Sequence, residues 1–318
     1  MAEATLGDSS SIVAISEDTV YTLNYRYVTK AIDDASDLTV FQAVSKGMND
    51  AGKSTGTYAI DGYYVLTKNI NASGLTLAHG KFYNDAAYPN GSYDGGFKGT
   101  LDGQGYTIFD LTTPSTGLFS QIFGGTVKNI GFVNASLGGY YKTLFGQRVY
   151  DATIENVYIQ MSTLPNGGYV LAVQELLRST LTNVVIDVEA ATITSGGIFG
   201  IANFTSAQRF AEKGTWTNVY VLSELPFEAG YKELYVNNAW GWYDYLIVAE
   251  NTTEEQITEY WKLGVYSDTV DNYDTVVLDD VRSYANAAAM QGKEDVSGFT
   301  TYWDITSGAP VWNNSVME

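Results

Sequence analysis

Four stretches of the chain repeat one arrangement of apolar and polar positions: 126–134 (TVKNIGFVN), 153–161 (TIENVYIQM), 180–188 (TLTNVVIDV) and 215–223 (TWTNVYVLS). Each carries an asparagine at the same place, Asn129, Asn156, Asn183 and Asn218, spaced 27, 27 and 35 residues apart. Two positions earlier stand Val127, Ile154, Leu181 and Trp216; one position earlier stand Lys128, Glu155, Thr182 and Thr217. One position later come Ile130, Val157, Val184 and Val219, and three later Phe132, Ile159, Ile186 and Val221. A straight strand sends alternate side chains to opposite faces, so its inward positions would all fall at even offsets. Here the parity changes at the asparagine. That predicts two short strands meeting at a corner, and asparagine tolerates the left-handed backbone that corners use. Stacked asparagines can also exchange amide hydrogen bonds from one turn to the next.

Two further columns keep step. Leu118-Phe119, Leu144-Phe145, Val170-Leu171 and Ile198-Phe199 precede the four blocks, and glycine pairs recur at Gly138-Gly139, Gly167-Gly168 and Gly196-Gly197. Short β-branched strands at this period predict coils of a solenoid, each burying its inward side chains only against its neighbours. The blocks carry no 3.6-residue pattern, and a sandwich of hairpins does not explain matching columns. Segments 62–70 (GYYVLTKNI) and 97–111 (FKGTLDGQGYTIFDL) predict two earlier coils. The expected fold class is all-β, a right-handed parallel β-helix with an N-terminal capping helix and a mixed α/β C-terminal cap.

The ends supply the caps, because open strand edges invite aggregation. In 36–50 (SDLTVFQAVSKGMND), Asp37 is the expected N-cap, with Leu38, Phe41, Val44 and Met48 on one face. Thr252-Thr253-Glu254-Glu255 is a capping-box pattern opening a helix to about Leu263, and 280–290 predicts a second helix. The tail 299–312 (FTTYWDITSGAPVW) is strand-like and is expected to pack on the last coil. The domain organisation expected is an extension over 1–35, the β-helix with its cap over 36–225, and a capping region over 226–318.

Composition narrows the function. The chain has 318 residues, 45% of them hydrophobic, enough for a large core. Lys+Arg is 17 against Asp+Glu 36, a net charge of −19, which repels nucleic acid and anionic membrane surfaces. Charged residues make up 17% of the chain, below the roughly 25% of average domains. There are no cysteines and one histidine, which removes disulfides, thiolate metal sites and cysteine nucleophiles. No apolar run is long enough to span a membrane. The first residues lack a signal-peptide pattern, so an exported protein would have Met1 as the start of a fragment cut from a longer, multidomain chain.

Candidate chemistry is sparse. The outward acids Asp151, Glu155, Asp187 and Glu189 fall in different columns, and Glu155 is expected to pair with Lys128 across coils. The turn Asp102-Gly103-Gln104-Gly105 lacks the rest of either nucleotide fingerprint. Asp268, Asp271, Asp274, Asp279 and Asp280 do not follow calcium-loop spacing, and His79 has no acid nearby in sequence. No catalytic residue, metal or cofactor is expected. Aromatic side chains remain as ligand-binding candidates: Tyr83, Tyr88 and Tyr93 in a polar loop, Tyr140 and Tyr141 beside a glycine pair, and Trp240, Trp242 and Tyr243. Such rings stack on sugars or anchor protein interfaces. The stretch 203–214 is expected to protrude as a loop.

Segment 117–131 (GLFSQIFGGTVKNIG) resembles the GLUG-type motif, and 99–108 (GTLDGQGYTI) resembles its usual lead-in. Segments 62–73 and 302–311 are also similar to parts of bacterial cell-surface β-helix proteins of pectin-lyase-like fold. The resemblance implies a module of a longer extracellular or wall-attached protein, adhesin-like, displaying or binding a glycan or a host protein. It implies no enzymatic activity. The alternatives are a carbohydrate-active β-helix enzyme (lyase or glycoside hydrolase) and a phage receptor-binding protein.

Overall fold

The computed structural model describes residues 10–16, 19–25, 27–41, 61–77, 96–114, 117–139, 142–164, 168–193, 196–197, 214–223, 231–237, 243–249, 275–278 and 281–315. Over these the chain is all-β with mostly parallel strands, and helix is confined to 35–41 and Ala287–Met290. The principal sheet contains Lys30–Ile32, Tyr63–Leu66, Thr100–Asp102, Thr126–Leu137, Thr153–Met161, Thr180–Asp187, Trp216–Leu222 and Val281–Tyr284. Each pairs in parallel with the next. Past the corner, Ile70–Asn71 and Thr107–Phe109 continue the sheet.

Register sets like on like. Val127 pairs with Ile154, Ile154 with Leu181, and Leu181 with Trp216; Phe132, Ile159, Ile186 and Val221 pair the same way. These inward columns are buried in one core with Leu118, Phe119, Leu144, Phe145, Val170 and Leu171. Two smaller parallel sheets line other sides: Ser120–Phe123, Gly146–Tyr150 and Ala172–Leu177, then Lys142–Thr143, Gly168–Tyr169 and Gly196–Gly197. Gly168 lies opposite Gly196 but also opposite Lys142, so Gly138-Gly139 does not share that column. The reason is that Gly138 bonds back to the Thr113 carbonyl and Gly139 takes a positive φ, ending the long strand there.

Several expectations are corrected. The first helical turn is Ala35–Leu38, and its N-cap is Asp34, not Asp37. Asp34 accepts from Ser36 N–H at 2.8 Å, while Asp37 reaches back to the Asp33 and Asp34 amides and pairs with Lys30 at 2.6 Å. Asp37 is thus the returning member of a capping box that Asp34 opens. Phe41 still reaches the core, its ring 4.9 Å from Phe119 and 5.2 Å from Tyr64; Val44 and Met48 lie outside the described residues. The principal sheet runs from Lys30 to Tyr284. Val281–Tyr284 is a strand, not the start of a helix, because it finishes the sheet beside Val219–Leu222. Helix is left only to Ala287–Met290, capped by the Asn286 side chain. The expected helix after Thr252 lies outside the described residues. Before Val281, Tyr231–Asn237, Tyr243–Ala249 and Thr275–Leu278 form an antiparallel sheet, and Ser10–Ser16 pairs antiparallel with Thr19–Tyr25.

The tail packs on the last repeat strand, where the Phe299 ring lies 5.7 Å from Tyr220, and reaches well beyond it. Residues 286–315 lie across the outer face of the principal sheet, where Phe109, Val133, Tyr158, Val185, Tyr220 and Leu222 meet Met290, Phe299, Trp303 and Trp312. Parallel sheets are ordinarily covered on both faces. The residue two after each asparagine faces outward, and in this chain that column (Gly131, Tyr158, Val185, Tyr220) is not polar and needs a cover. Gly131 is the exception that makes room: a Cβ there would stand 2.5 Å from Trp312 Nε1 and 2.6 Å from Thr107 Oγ1.

Candidate functional site

The corner asparagines set the local geometry. Asn129, Asn156, Asn183 and Asn218 have φ of 53°, 51°, 54° and 54°. This is the left-handed region that asparagine tolerates. Their amides form one continuous series of hydrogen bonds. Asn218 Nδ2 donates to Asn183 Oδ1 at 2.9 Å, and Asn183 Nδ2 to Asn156 Oδ1 at 3.0 Å. Asn156 Nδ2 donates to Asn129 Oδ1 at 3.1 Å, and Asn129 Nδ2 to Asp102 Oδ1 at 3.0 Å. Every amide donates in the same direction, so the rail needs an acceptor at its end.

Asp102 is that acceptor. It is buried, and besides Asn129 it takes the Tyr63 hydroxyl at 2.7 Å and the Gln104 amide at 3.0 Å. Lys128 Nζ stands 3.5 Å away, so the ion pair expected between Lys128 and Glu155 is made with Asp102 instead. The buried carboxylate has the greater need of a cation, which fixes that choice. Burial works to raise the Asp102 carboxyl, but the hydrogen bonds from Tyr63, Asn129 and Gln104 and the Lys128 charge together hold it below the usual carboxylate range.

Beside the rail runs a polar strip. Three positions before the corner, Tyr63, Thr100, Thr126, Thr153 and Thr180 lie in one register; one position before it, Asp102, Lys128, Glu155, Thr182 and Thr217 lie in another. The buried column between them points inward, so these two point outward. On one side the tail forms a wall: Gly298 O accepts from Asn183 Nδ2 at 2.8 Å, Asn314 Nδ2 donates to Gly105 O at 2.6 Å, and Tyr302 stands against Gly105. On the other side each strand is entered through a second left-handed corner, Gly124, Asp151 and Arg178, with φ of 78°, 52° and 47°. Arg178 holds Asp151 through Nε at 2.7 Å and Nη2 at 2.8 Å, and its guanidinium lies 5.5 Å over the Tyr150 ring. Arg178 first, through that bond, keeps Asp151 below its ordinary range. The strip thus offers threonine hydroxyls beside the asparagine amides, with Lys128 and Arg178 already paired to carboxylates. Among the described residues no three His, Cys, Asp or Glu side chains gather where they could hold a metal ion.

Of the ligand-binding candidates, Tyr83, Tyr88, Tyr93, Tyr140, Tyr141, Trp240 and Trp242 lie outside the described residues, as do His79, 203–213 and the Asp268–Asp280 cluster. Tyr243 opens the strand Tyr243–Ala249 opposite Asn237. Asp102 and Tyr63 went unrecognised as partners of the rail. A signal existed, since Thr100-Leu101-Asp102 aligns with Thr126-Val127-Lys128. The second corner left none, because glycine, aspartate and arginine share no side-chain type.

A family model, the N-terminal region of the M26 IgA1-specific metallo-endopeptidase, matches residues 17–161, under half of the chain. The match spans the first strands of the principal sheet and the rail as far as Asn156. No curated protein and no solved structure gives a significant match.

Proposed function

We propose that this chain is a non-catalytic extracellular module of a bacterial surface protein, a right-handed parallel β-solenoid of the GLUG-type kind that binds or displays a glycan or a host protein. The observation that carries the solenoid is one offset returning in different sheets. Thr126 pairs with Thr153 and Arg148 with Glu175, both in parallel and both at the same separation along the chain. A chain that meets itself in parallel at one period on separate sides is winding, and parallel crossovers are right-handed in nearly all cases. The N-terminal turn with Phe41 serves as the cap at one end, and the segments after Leu222 supply the other.

The binding role is supported by the polar strip, an outward surface whose hydroxyls and amides are held in register by the backbone. The similarity over 17–161 favours a second reading within the same class, an accessory region of a secreted peptidase-related protein. This chain has one histidine, too few for the two-histidine zinc helix of such peptidases. Arrays of glycans and host proteins, with IgA1 among them, test both readings. Retention of a glycan or a host protein without turnover is the expected result. Retention of IgA1 with its chains intact selects the accessory reading. A blank on every array removes the binding role and leaves a spacer.

A further inference from the structure

We propose that the polar strip beside the asparagine rail is a groove for one extended, uncharged polysaccharide chain lying along the stack of strands; this deepens, and rests on, the binding-module reading above. Shape comes first. The strip's groups repeat at the spacing of adjacent strands, about 4.8 Å, between the tail on one side and the Asp151–Arg178 corner on the other. Its contacts therefore run in a line rather than converge on a pocket, which suits a polymer and not a small ligand.

Charge selects the class of polymer. Lys128 is paired with Asp102 and Arg178 with Asp151, which leaves Glu155 as the strip's single net charge. The whole chain carries −19, which repels a polyanion, and a polycation would be drawn to the far larger acid surplus elsewhere rather than to a line with one unpaired carboxylate. An uncharged chain has no field to work against. Its hydroxyls find threonine hydroxyls that both donate and accept. Where the strip ends, the half-buried Tyr63 ring is fixed by its 2.7 Å hydrogen bond to Asp102, and the half-buried Tyr302 ring stands against Gly105. A sugar presents C–H faces as well as hydroxyl edges, and such rings take the former.

Affinity electrophoresis of the full chain tests this, with glucan, mannan and galactan as neutral polysaccharides and polygalacturonate and chitosan as charged ones. The double variant T182W/T217W fills the strip from two outward positions. If it does not melt like the parent, Lys128→Ala with Glu155→Ala replaces it. The expected result is retardation by a neutral polysaccharide, with a dissociation constant raised at least about tenfold in the variant. Retardation by polygalacturonate or chitosan alone overturns the proposal. A neutral ligand bound equally by parent and variant places binding on another surface; this overturns the groove and leaves the module reading standing. So does retention of a host protein with no polysaccharide retarding the chain. A blank with every polysaccharide and every host protein overturns both.

Discussion

Two hydrophobic regions hold the described residues together, and they are built on different terms. The inner one is mostly aliphatic and repeats by translation: Val127, Ile154 and Leu181 stack in register, as do Ile130, Val157 and Val184. The outer one is aromatic and does not repeat. Phe299 meets Trp303 edge-on at 5.0 Å, Trp303 meets Trp312 at 4.9 Å, and Tyr158 meets Trp303 at 6.2 Å. It is closed by bonds between distant parts of the chain. Trp312 Nε1 donates to Thr107 Oγ1 at 2.9 Å, and Thr107 in turn donates to the Asn314 carbonyl at 2.6 Å, across 205 and 207 residues. The inner region joins residues of adjacent strands one repeat apart; the outer one joins the tail to a face that several of those strands present together. Loop-closure cost rises slowly with length, so such a distant closure is tolerable once a prepared apolar face awaits it.

Substitutions that separate the two regions should fall in order of effect. Ile154→Asp puts an unpaired charge in the inner core and should remove on the order of 5 kcal/mol, leaving no cooperative melt by circular dichroism. Trp312→Ala should cost about 3 kcal/mol. Hydrogen-exchange protection should then be lost over 286–315 while the sheet from Thr100 to Leu222 stays protected. If protection falls everywhere at once, the two regions are one cooperative unit and the distinction fails. Asn156→Ala places alanine in a left-handed corner. With the lost amide bonds it should cost about 2 kcal/mol. Asn156→Gly relieves the backbone and should cost about half as much. Equal losses in a denaturant titration would mean that the corner conformation contributes nothing.

The smallest effect is with pH, and its sign differs from that of an acid transition. Burial first, then Glu294, raises Tyr220 to about 12, with Arg282 opposing. Burial followed by Asp187 raises Tyr158, and burial followed by the Glu294 hydrogen bond raises Tyr284. An unfolded tyrosine titrates near ~10. Folded values above that mean the stabilisation is complete below about pH 10 and is lost as pH rises through the folded values. Tryptophan fluorescence from Trp303 and Trp312 should therefore change on alkaline titration before the β-sheet signal does. Simultaneous loss would again merge the two regions.

Legibility followed the same division. The columns at two before and one and three after each asparagine, and the corner itself, were readable because a repeat shows one physical requirement several times over. Asp102 was readable only in outline, since its role as terminal acceptor depends on Tyr63, which arrives from a segment that the pattern did not align with the four blocks. The cap at Asp34 was missed because Asp34 and Asp37 both fit a helix start, and only the hydrogen-bond geometry distinguishes them. The aromatic candidates named from composition fall almost wholly outside the described residues, whereas the rail and strip arise from side chains that are unremarkable singly.

By itself the sequence determined which side chains face inward, where the backbone turns left-handed, and that successive strands should lie in register, because period and parity are local properties of a strand. The tertiary structure alone decided that the tail runs along the whole outer face and is not confined to the last repeat strand. It also decided that Lys128 pairs with Asp102 and that the rail ends on a buried carboxylate. Each of those outcomes depends on which groups meet across long separations, and no periodic pattern along the chain encodes such a meeting.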